Sequence, residues 1–427
     1  MSLALLPTLL TLGLLAPDPL ATKALAFERA LEERHMAPEG LLLYRIDLRS
    51  IETDLLRGTY PDLADGATFT GLLAAAACGR ATFESGPARQ HALVDADRAL
   101  TGLDLLMAVT GSPGLLARAA RRAPPPEGAP ERRRWSRGGP GYDEYSFRGN
   151  VSMDQYANGL LPAVALCAEH FPARARALIV ASAGHLLAHG MHLTDPDGRP
   201  TRFGDLSPSS GFGFNSLAQL TGYGVFALAA ALDPDPRWGR KRDRLRDDDR
   251  VVARAQRTNL RVFGLTNTSN DLMAWNLYRV LVPLLRRSDD PALPDLLRSM
   301  KRTWRRVRAD RNAYFTLVYC KLEPEGCNAT LRATARDQLA AFPLNKRKIA
   351  PPAALAELPR RLIPGRKWRR QARDLVPMQL RPVSSFEWKS SPYRLRYSVA
   401  PDIEYTGLDF LVAYWLYLEV TAASHAE

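Results

Sequence analysis

Apolar residues recur at the period of an α-helix along most of this chain. Each such segment is about 12–20 residues long, with apolar side chains near positions i, i+3, i+4 and i+7. Glycine or a Pro/Asp cluster marks nearly every boundary, whereas strand patterns are scarce. The sequence therefore predicts an all-α fold with helices over residues 68–83, 91–111, 156–171, 173–190, 214–232, 271–287, 292–308 and 405–423.

The predicted helices differ in how much of their surface is apolar. Segments 68–79 and 217–232 are rich in Ala, Gly and Leu on nearly all faces, and a helix of that kind must be buried. Their neighbours 91–109 and 173–188 are amphipathic. This alternation predicts an α/α toroid, in which outer helices wrap a ring of inner ones. A simple bundle and an open solenoid are the alternatives, and the absence of a fixed repeat of about 34 or 40 residues counts against the solenoid.

The pattern indicates a single domain over residues 25–427. The 427 residues exceed the usual domain length of about 100–200 residues, but no segment stands out as a second domain. Residues 121–145, rich in Pro, Gly and Arg, predict a long exposed loop, and residues 193–214 predict another. Residues 354–395 predict irregular chain that wraps around the helical body.

Residues 1–24 have the pattern of a signal peptide. The apolar run from Leu3 to Ala16 has the length of a signal-peptide core, and small residues follow at Ala21 and Ala24. No Lys or Arg precedes the run, which departs from that pattern. We expect a protein exported to the periplasm or secreted; if the run is instead a helix packed on the domain, the protein is cytoplasmic. No later segment reaches the roughly 18 uninterrupted apolar residues of a transmembrane helix.

The four cysteines suggest no metal centre. Cys78 and Cys167 lie in helical sequence rich in Ala and Leu, so we interpret them as buried apolar residues. Cys320 and Cys327 flank a turn-like segment that a disulfide would close in an oxidising compartment, and this pairing stays open. Because the chain has no CxxC, no His–Cys cluster and no phosphate-binding loop, neither a metal nor a cofactor is expected.

The chain is basic, with 58 Lys and Arg residues against 45 Asp and Glu and a formal net charge of +13. Contact between Arg-rich loops and an anionic surface or polymer is one interpretation, and solvated helix faces are the other. No zinc finger, basic zipper or RNA-binding motif accompanies the charge, so specific nucleic-acid binding is not expected. The cationic residues concentrate in segments 131–137, 237–246, 301–308, 345–349 and 366–373.

Polar side chains gather just before several predicted inner helices. Taken singly, each is explained as an N-cap, which contributes about 1 kcal/mol to helix stability. In an α/α toroid, however, all inner helices start at the same rim, so these side chains should converge on one central depression that suits a polyhydroxylated ligand. The residues at these starts include Asp65, Asn150, Ser152, Asp154, Gln155, Asn215 and Asp271.

Cleavage of a glycosidic bond needs two carboxyl groups, one to protonate the leaving oxygen and one to activate water or attack directly. Asp154 is the foremost acid or base candidate, with Asp271 and Asp65 as catalytic partners. A uronate lyase would instead use a base such as Tyr156, His189 or His192. The predicted substrate-binding residues are Asn150, Gln155, Arg202, Asp205, Asn215, Glu387 and Trp388.

Several of these stretches, in this order, resemble the six-hairpin glycosidase-like (α/α)6 proteins of bacteria and fungi. The stretches include "ADGATFTGLLAAAACG", "FRGNVSMDQYANGLL", "HGMHLTDPDGRPTRFGDLSP", "SNDLMAWNLYRVLVPLL", "RPVSSFEWKSSPYRL" and "YTGLDFLVAYWLY". The resemblance spans roughly residues 40–418. It implies the (α/α)6 toroid and a pocket for carbohydrate, with glycosidic-bond hydrolysis as the leading expectation.

The chain departs from the family pattern at four positions. Asn150 stands where an Asp is expected, Val151 and Ala67 replace Thr, and Phe203 replaces Trp. If the family's acid pair includes the position of Asn150, this chain is impaired in catalysis. A catalytically silent glycan-binding or scaffold protein is therefore the alternative to an enzyme.

Overall fold

The computed structural model describes residues 18–60, 63–128, 133–213, 215–255, 267–363 and 369–423. These residues are mainly helical, which confirms the all-α class. Short segments at Ile51–Arg57, Val251–Arg254 and Ala354–Glu357 are also helical. The helical body comprises α1 (Pro19–Ala30), α2 (Gly66–Phe83), α3 (Gly86–Ala108), α4 (Leu161–Cys167), α5 (Pro172–Ala188), α6 (Ser216–Leu232), α7 (Pro236–Asp247), α8 (Thr268–Arg287), α9 (Leu293–Val307), α10 (Ala313–Leu322), α11 (Ala329–Ala340) and α12 (Leu408–Ala423).

The even-numbered helices contact one another in chain order. Helix α2 packs on α4, α4 on α6, α6 on α8, α8 on α10 and α10 on α12, and α12 packs back on α2. Each of them also packs on the odd-numbered helix that follows it in the chain, from the pair α2 and α3 to the pair α10 and α11. The last even-numbered helix, α12, packs on α1. The contacts therefore form a closed cycle of helical hairpins, although α8 also touches α4 across the middle.

Burial follows the apolar pattern of the sequence. In α2 all residues from Gly66 to Ala81 are buried, and in α6 those from Ser216 to Ala229 are buried. In α3 and α5 only one face is buried, as their amphipathic patterns predict. Helices that are apolar on all sides lie innermost because water would otherwise contact apolar surface on every face.

Helices α2 and α4 run in the same direction and approach closely. A π-helical turn, Tyr156–Leu160, leads directly into α4 and carries Gly159. A Cβ atom on Gly71 would lie 2.4 Å from the Gly159 carbonyl carbon, so no larger residue fits there. Near the other end of both helices, Cys78 forms a disulfide with Cys167.

Short strands line the connections. Strands β1 (Arg45–Asp47), β10 (Ala400–Tyr405) and β7 (Arg347–Lys348) form one antiparallel sheet in the order β1-β10-β7. A second antiparallel sheet has the order β2-β4-β3. The remaining strands are β2 (Ala119–Arg121), β3 (Trp135–Arg137), β4 (Ser146–Arg148), β5 (His192–Thr194), β6 (Pro200–Asp205), β8 (Arg360–Ile363) and β9 (Arg369–Ala372).

These strands correct the predicted loops. Segment 121–145 contributes β3 to a sheet, and segment 193–214 contains most of the β5–β6 hairpin, which also begins one residue earlier. Segment 354–395 includes the β8–β9 hairpin, packed over a small cluster of its own. Strands of two to six residues leave too short an alternation for sequence patterns to detect.

The cysteines pair in a way that the sequence indicated only in part. Cys320 and Cys327 form the disulfide that the turn between them made plausible. The interpretation of Cys78 and Cys167 as buried apolar residues was incomplete, because both are buried but bonded to each other. Their partnership spans 89 positions of sequence and depends on the packing of α2 against α4.

The apolar run Leu3–Ala16 lies outside the described residues. The small residues Ala21 and Ala24 lie within α1, where Ala24 packs into the core. None of the helices in the described part of the chain combines the length and apolarity needed to cross a bilayer.

Removing each disulfide should reveal the effect of its loop length. We expect the Cys78→Ala/Cys167→Ala pair to lower the free energy of unfolding by about 4 kcal/mol, because a long loop is closed. The Cys320→Ala/Cys327→Ala pair, with a sequence separation of 7, should cost about 2 kcal/mol. Urea unfolding without reductant measures both. Four titratable thiols in the denatured, unreduced wild type would contradict the pairing.

The close approach of α2 and α4 predicts opposite effects at two glycines. Gly71→Ala should cost about 2–3 kcal/mol because its methyl group meets the Gly159 backbone. Gly184→Ala, inside α5 with no atom near its added methyl group, should gain about 0.5–1 kcal/mol. Thermal and urea unfolding measure both, and equal stabilities for the two variants would rule out the close contact.

Candidate functional site

The starts of the inner helices carry the caps that the sequence predicted. Ser152 forms a capping box with Gln155 ahead of α4. Asn215 accepts from the Ala218 amide at the start of α6. Helix α10, which the apolar periodicity did not predict, is capped in the same way by Asn312, which accepts from the Phe315 amide. For these residues the simple capping explanation is sufficient.

Asp65 behaves differently. It occupies the N-cap position of α2, yet its carboxylate caps no amide of the helix. Instead Oδ2 lies 2.9 Å from Nζ of Lys389, and Oδ1 lies 3.4 Å from the Arg118 guanidinium. Asp65 therefore joins the start of α2 to two distant parts of the chain.

Arg118 is the centre of this arrangement. It donates to the Ala64 carbonyl at 2.8 Å, to the Asn150 carbonyl at 3.1 Å and to Ser152 Oγ at 3.1 Å, in addition to Asp65. A guanidinium has five N–H donors in a fixed plane, so it can hold several acceptors at once. We call Asp65, Arg118, Asn150, Ser152, Asp154, Gln155, Arg202 and Lys389 the rim cluster.

Asp154 is the partly exposed carboxylate beside Arg118 and Ser152. Its hydrogen-bond partners among the described residues are Ser152 Oγ and, at 3.5 Å, the Gln155 amide, both uncharged. Gln155 is completely buried and accepts from the Ser152 amide at 2.9 Å. Asp154 thus retains a carboxylate that is held in place and accessible to solvent, while Gln155 supports it from below.

Asn150 connects the rim cluster to the β5–β6 hairpin. Its backbone has φ +54°, a left-handed conformation that Asn tolerates better than most residues. Its amide N–H donates to the Asp195 carboxylate at 3.0 Å, and its Oδ1 accepts from the Arg202 N–H at 2.9 Å. The Arg202 N–H needs only one side-chain oxygen as its acceptor, and either Asn or Asp provides it. The role of Asn150 in the structure therefore does not require a carboxylate.

The hairpin brings exposed groups to the backbone segment that carries Asp154. Phe203 forms an isolated backbone bridge with Ser152 and is 57% exposed, which is unusual for a large aromatic residue. The Arg202 guanidinium lies 5.0 Å from the Phe203 ring centroid. Farther along, Asp205 accepts from Ser207 at 2.6 Å and lies 3.4 Å from His192.

A cavity of about 560 Å³ opens on the other side of Asn150. Trp135 and Phe147 contribute aromatic surface, and Asp195, with Arg134 bound at 2.8 Å, contributes charge. The cavity adjoins the rim cluster at Gly149, the residue before Asn150. Its size and mixed lining match those of sites for small ligands.

Three predicted residues lie deeper and are paired. Asp271 is 1% exposed and lies 3.5 Å from the Arg306 guanidinium. Glu387 is buried with Arg381 at 3.0 Å. Trp388 is completely buried and donates through Nε1 to the Asp409 carbonyl. The prediction of Trp388 as a surface for substrate is therefore wrong in this structure, because the indole belongs to the core beneath the rim.

Two neighbouring basic side chains favour the ionised form of Asp65. Burial opposes its ionisation, but the ion pairs and hydrogen bonds to Lys389 and Arg118 outweigh burial and hold its pKa below the usual range. The completely buried Asp409 shows the opposite balance. Burial raises its pKa, although Lys346 lies 2.6 Å away and opposes the shift. Asp65 therefore stays ionised to lower pH than an ordinary aspartate does.

The three residues considered as the base of a lyase differ in their access to solvent. Tyr156 is completely buried and its hydroxyl lies 3.4 Å from both the Leu116 amide and the Gly114 carbonyl, so it cannot reach a substrate. His189 is exposed, but its Nδ1 lies 2.9 Å from the His185 carbonyl. His192 is partly exposed next to Asp205. Of the three, only the two histidines remain accessible to solvent.

The Arg-rich segments are largely paired where the structure describes them. On α7, Arg246 contacts Asp243, Asp247 and Asp290, and Arg237 contacts Asp235. A basic groove of about 710 Å³ lies along α9, where Arg305 and Arg308 are exposed. Parts of segments 131–137 and 366–373 lie outside the described residues. Contact with an anionic polymer stays a prediction.

Sequence reasoning missed Arg118 and Lys389. Both are single basic residues in a chain with 58 of them, and Lys389 follows Asp65 by more than 300 positions. A side chain that acts through contacts at this distance leaves no local pattern. Lys389 was nevertheless within a stretch already singled out, because it directly follows Glu387 and Trp388.

Neutralising Asp65 should destabilise the rim. At pH 7, Asp65→Asn should lower the free energy of unfolding by about 1–3 kcal/mol, because Lys389 and Arg118 lose their counter-charge. A lowered pKa contributes stability above the unfolded value of about 3.9, and this contribution disappears as pH falls further. The difference between variant and wild type should therefore shrink below pH of about 4.

A control separates this effect from ordinary surface charge. Asp374 lies 3.3 Å from Arg373 and both side chains are mostly exposed, so Asp374→Asn should cost under about 0.5 kcal/mol. Urea unfolding from pH 3 to 7 measures both variants. Equal costs for the two substitutions would show that Asp65 does not organise the rim.

Comparisons with protein-family models, curated protein sequences and solved structures found no match to this chain. What the protein does is therefore inferred from its own residues, chiefly from the rim cluster and the groups beside it.

Proposed function

We propose that the twelve helices form an (α/α)6 toroid and that the rim cluster is the binding site for a carbohydrate, with hydrolysis of a glycosidic bond as the reaction. The toroid is supported by the closed cycle of contacts among the even-numbered helices, each with an odd-numbered helix beside it. The resemblance to six-hairpin glycosidase-like proteins is part of the same proposal.

The observation that carries the proposal is the position of Asp154. It is a partly exposed carboxylate with uncharged partners, two residues after Ser152, whose backbone bridges to the exposed Phe203, and the Arg202 guanidinium lies over the Phe203 ring. Sugars present C–H surfaces that stack on aromatic rings and hydroxyl groups that bind carboxylates and guanidinium groups. The adjoining cavity at Trp135 extends this surface.

Hydrolysis assigns different tasks to the two carboxylates of the cluster. Asp154 donates a proton to the glycosidic oxygen as its bond to the anomeric carbon breaks, a water molecule adds to that carbon, and the proton that the water releases restores Asp154. Asp65, held ionised by Lys389 and Arg118, supplies negative charge opposite the positive charge that develops on the sugar ring. Arg118 spans both sides, because it contacts Asp65 and also Ser152, which touches Asp154.

Glycan binding without catalysis is the second candidate. It is favoured by the ion pairs that Asp65, Asp271 and Glu387 form with basic side chains. Among the predicted carboxylates in the described part of the chain, Asp154 is then the one that has only neutral partners. Asn150, in place of the expected Asp, favours the same outcome. A uronate lyase is disfavoured by the burial of Tyr156 and depends on His189 or His192.

Export is also proposed. Both cysteine pairs are bonded, and disulfides of this kind persist mainly in oxidising compartments. The part of residues 1–24 that precedes α1 would supply the signal peptide, because Ala24 and the rest of α1 pack on the helical body.

A panel of oligosaccharides and polysaccharides tests the proposal with wild type and Asp154→Asn. Hydrolysis appears as new reducing ends, and we expect Asp154→Asn to slow it by about 100-fold or more while binding changes little. Asp143→Asn, which changes an exposed Asp outside the cluster, is the matched control and should retain full activity.

The other outcomes decide between the candidates. Unsaturated product ends would establish elimination, and retention of a glycan without product would establish binding alone. In the binding case Phe203→Ala should weaken retention more than Asp154→Asn. Failure of the wild type to bind or cleave any glycan in the panel would overturn the carbohydrate proposal.

A further inference from the structure

Three metal-binding side chains meet far from the rim, where α1 packs near α3. They are Glu32, on the π-helical turn Leu31–His35 that follows α1, and His91 and Asp95 on α3. One ligand atom from each lies within 4.8 Å of the others. We propose that Glu32, His91 and Asp95 bind a divalent transition-metal ion, for which zinc is the best chemical match.

The spacing on α3 suits a metal site. His91 and Asp95 are four residues apart, so their side chains project from the same face of the helix on successive turns. The same i, i+4 spacing positions the two histidines of helical zinc motifs. Glu32 supplies the third ligand from another segment, so the ion would connect the end of α1 to α3.

The chemistry of the three groups fits zinc. Zinc accepts imidazole nitrogen and carboxylate oxygen at about 2.0–2.2 Å and commonly takes three protein ligands plus water. Glu32 Oε1 lies 2.6 Å from His91 Nε2, and Asp95 Oδ2 lies 4.0 Å from His91 Nδ1. These contacts use opposite nitrogens of the imidazole, so binding of one ion requires the His91 ring or the Glu32 carboxylate to turn. The side chains of Glu32 and His91 are 43% and 40% exposed, which leaves room for this rotation.

Asp95 provides the independent indication of a ligand. The residue is more than nine-tenths buried, and its carboxylate lies 4.0 Å from Nδ1 of the His91 ring. Among the described residues no donor forms a hydrogen bond to its carboxylate. Burying a carboxylate without donors is costly, and a cation bound to it would remove that cost.

The nearest guanidinium does not serve this purpose. Arg80 bonds Glu84 at 2.8 Å and Glu28 at 3.1 Å, and its guanidinium also lies 5.1 Å from the Trp415 ring centroid. Four carboxylates, from Glu28, Glu32, Glu84 and Asp95, therefore surround one Arg and one His. This local excess of negative charge occurs in a chain whose net charge is +13, and it favours a bound cation.

Zinc titration of the full chain tests the proposal after dialysis against a chelator. We expect one zinc ion per chain by calorimetry and a rise of about 3 °C in the midpoint of thermal unfolding at zinc a hundredfold above Kd. Glu32→Gln and His91→Gln should each weaken zinc binding by about 100-fold or more. Both residues are partly exposed, so these variants should fold, whereas the buried Asp95 is left unchanged.

Two matched controls accompany the variants. Glu33→Gln makes the same charge change one residue away, and His170→Gln removes a partly exposed histidine outside the cluster. Both should bind zinc as the wild type does. The proposal is overturned if the wild type takes up no zinc at a defined stoichiometry, or if zinc binding survives in the Glu32→Gln/His91→Gln double variant.

Discussion

The unpaired amide groups at the starts of the inner helices are the constraint on which the rim depends. The first four N–H groups of a helix lack partners within it, and the start of the helix carries partial positive charge. Ser152, Asn215 and Asn312 satisfy such groups locally. At the start of α2 the Leu63 and Arg118 carbonyls accept from the Gly66 and Ala67 amides, so the Asp65 carboxylate is free to make other contacts while still benefiting from the helix field.

The contacts of the Asp65 carboxylate join separate segments of the chain. Asp65 contacts Lys389, which directly follows Trp388, and Trp388 in turn bonds Asp409 at the start of α12 and Asn312 at the start of α10. Arg118 extends the network to the segment before α4. The starts of four inner helices are thus joined by side chains that, taken one at a time, resemble ordinary caps and charges.

The interior below the rim is polar where the helices cross. Asn276 of α8 donates to Asn158 at 3.0 Å and accepts from Tyr314 of α10 at 2.6 Å, and Arg279 contacts the same Tyr314 at 3.4 Å. These groups are buried and bonded, so they fill space between α4, α8 and α10. A ligand of the rim cluster would therefore sit above this layer, not within it.

Local patterns determined much of the fold. Periodicity predicted eight of the helices to within a few residues at most boundaries. It could do so because the spacing of apolar residues reflects whether one face of a helix or all of its faces are buried. It missed α1, α7, α10, α11 and the short strands. Helix α7 is mostly charged, and α10 is only ten residues long, so neither has a long apolar repeat.

The sequence by itself determined which helices are buried, where their capped starts lie and which carboxylates stand near them. Only the tertiary structure decided that Cys78 meets Cys167, that Arg118 and Lys389 hold Asp65, that Trp388 is buried and that Glu32 lies beside His91 and Asp95. The physical reason is the distance along the sequence over which each interaction acts. Burial and capping act over a few residues and leave a periodic trace, whereas ion pairs, disulfides and ligand sets join residues whose proximity arises only when the helices pack.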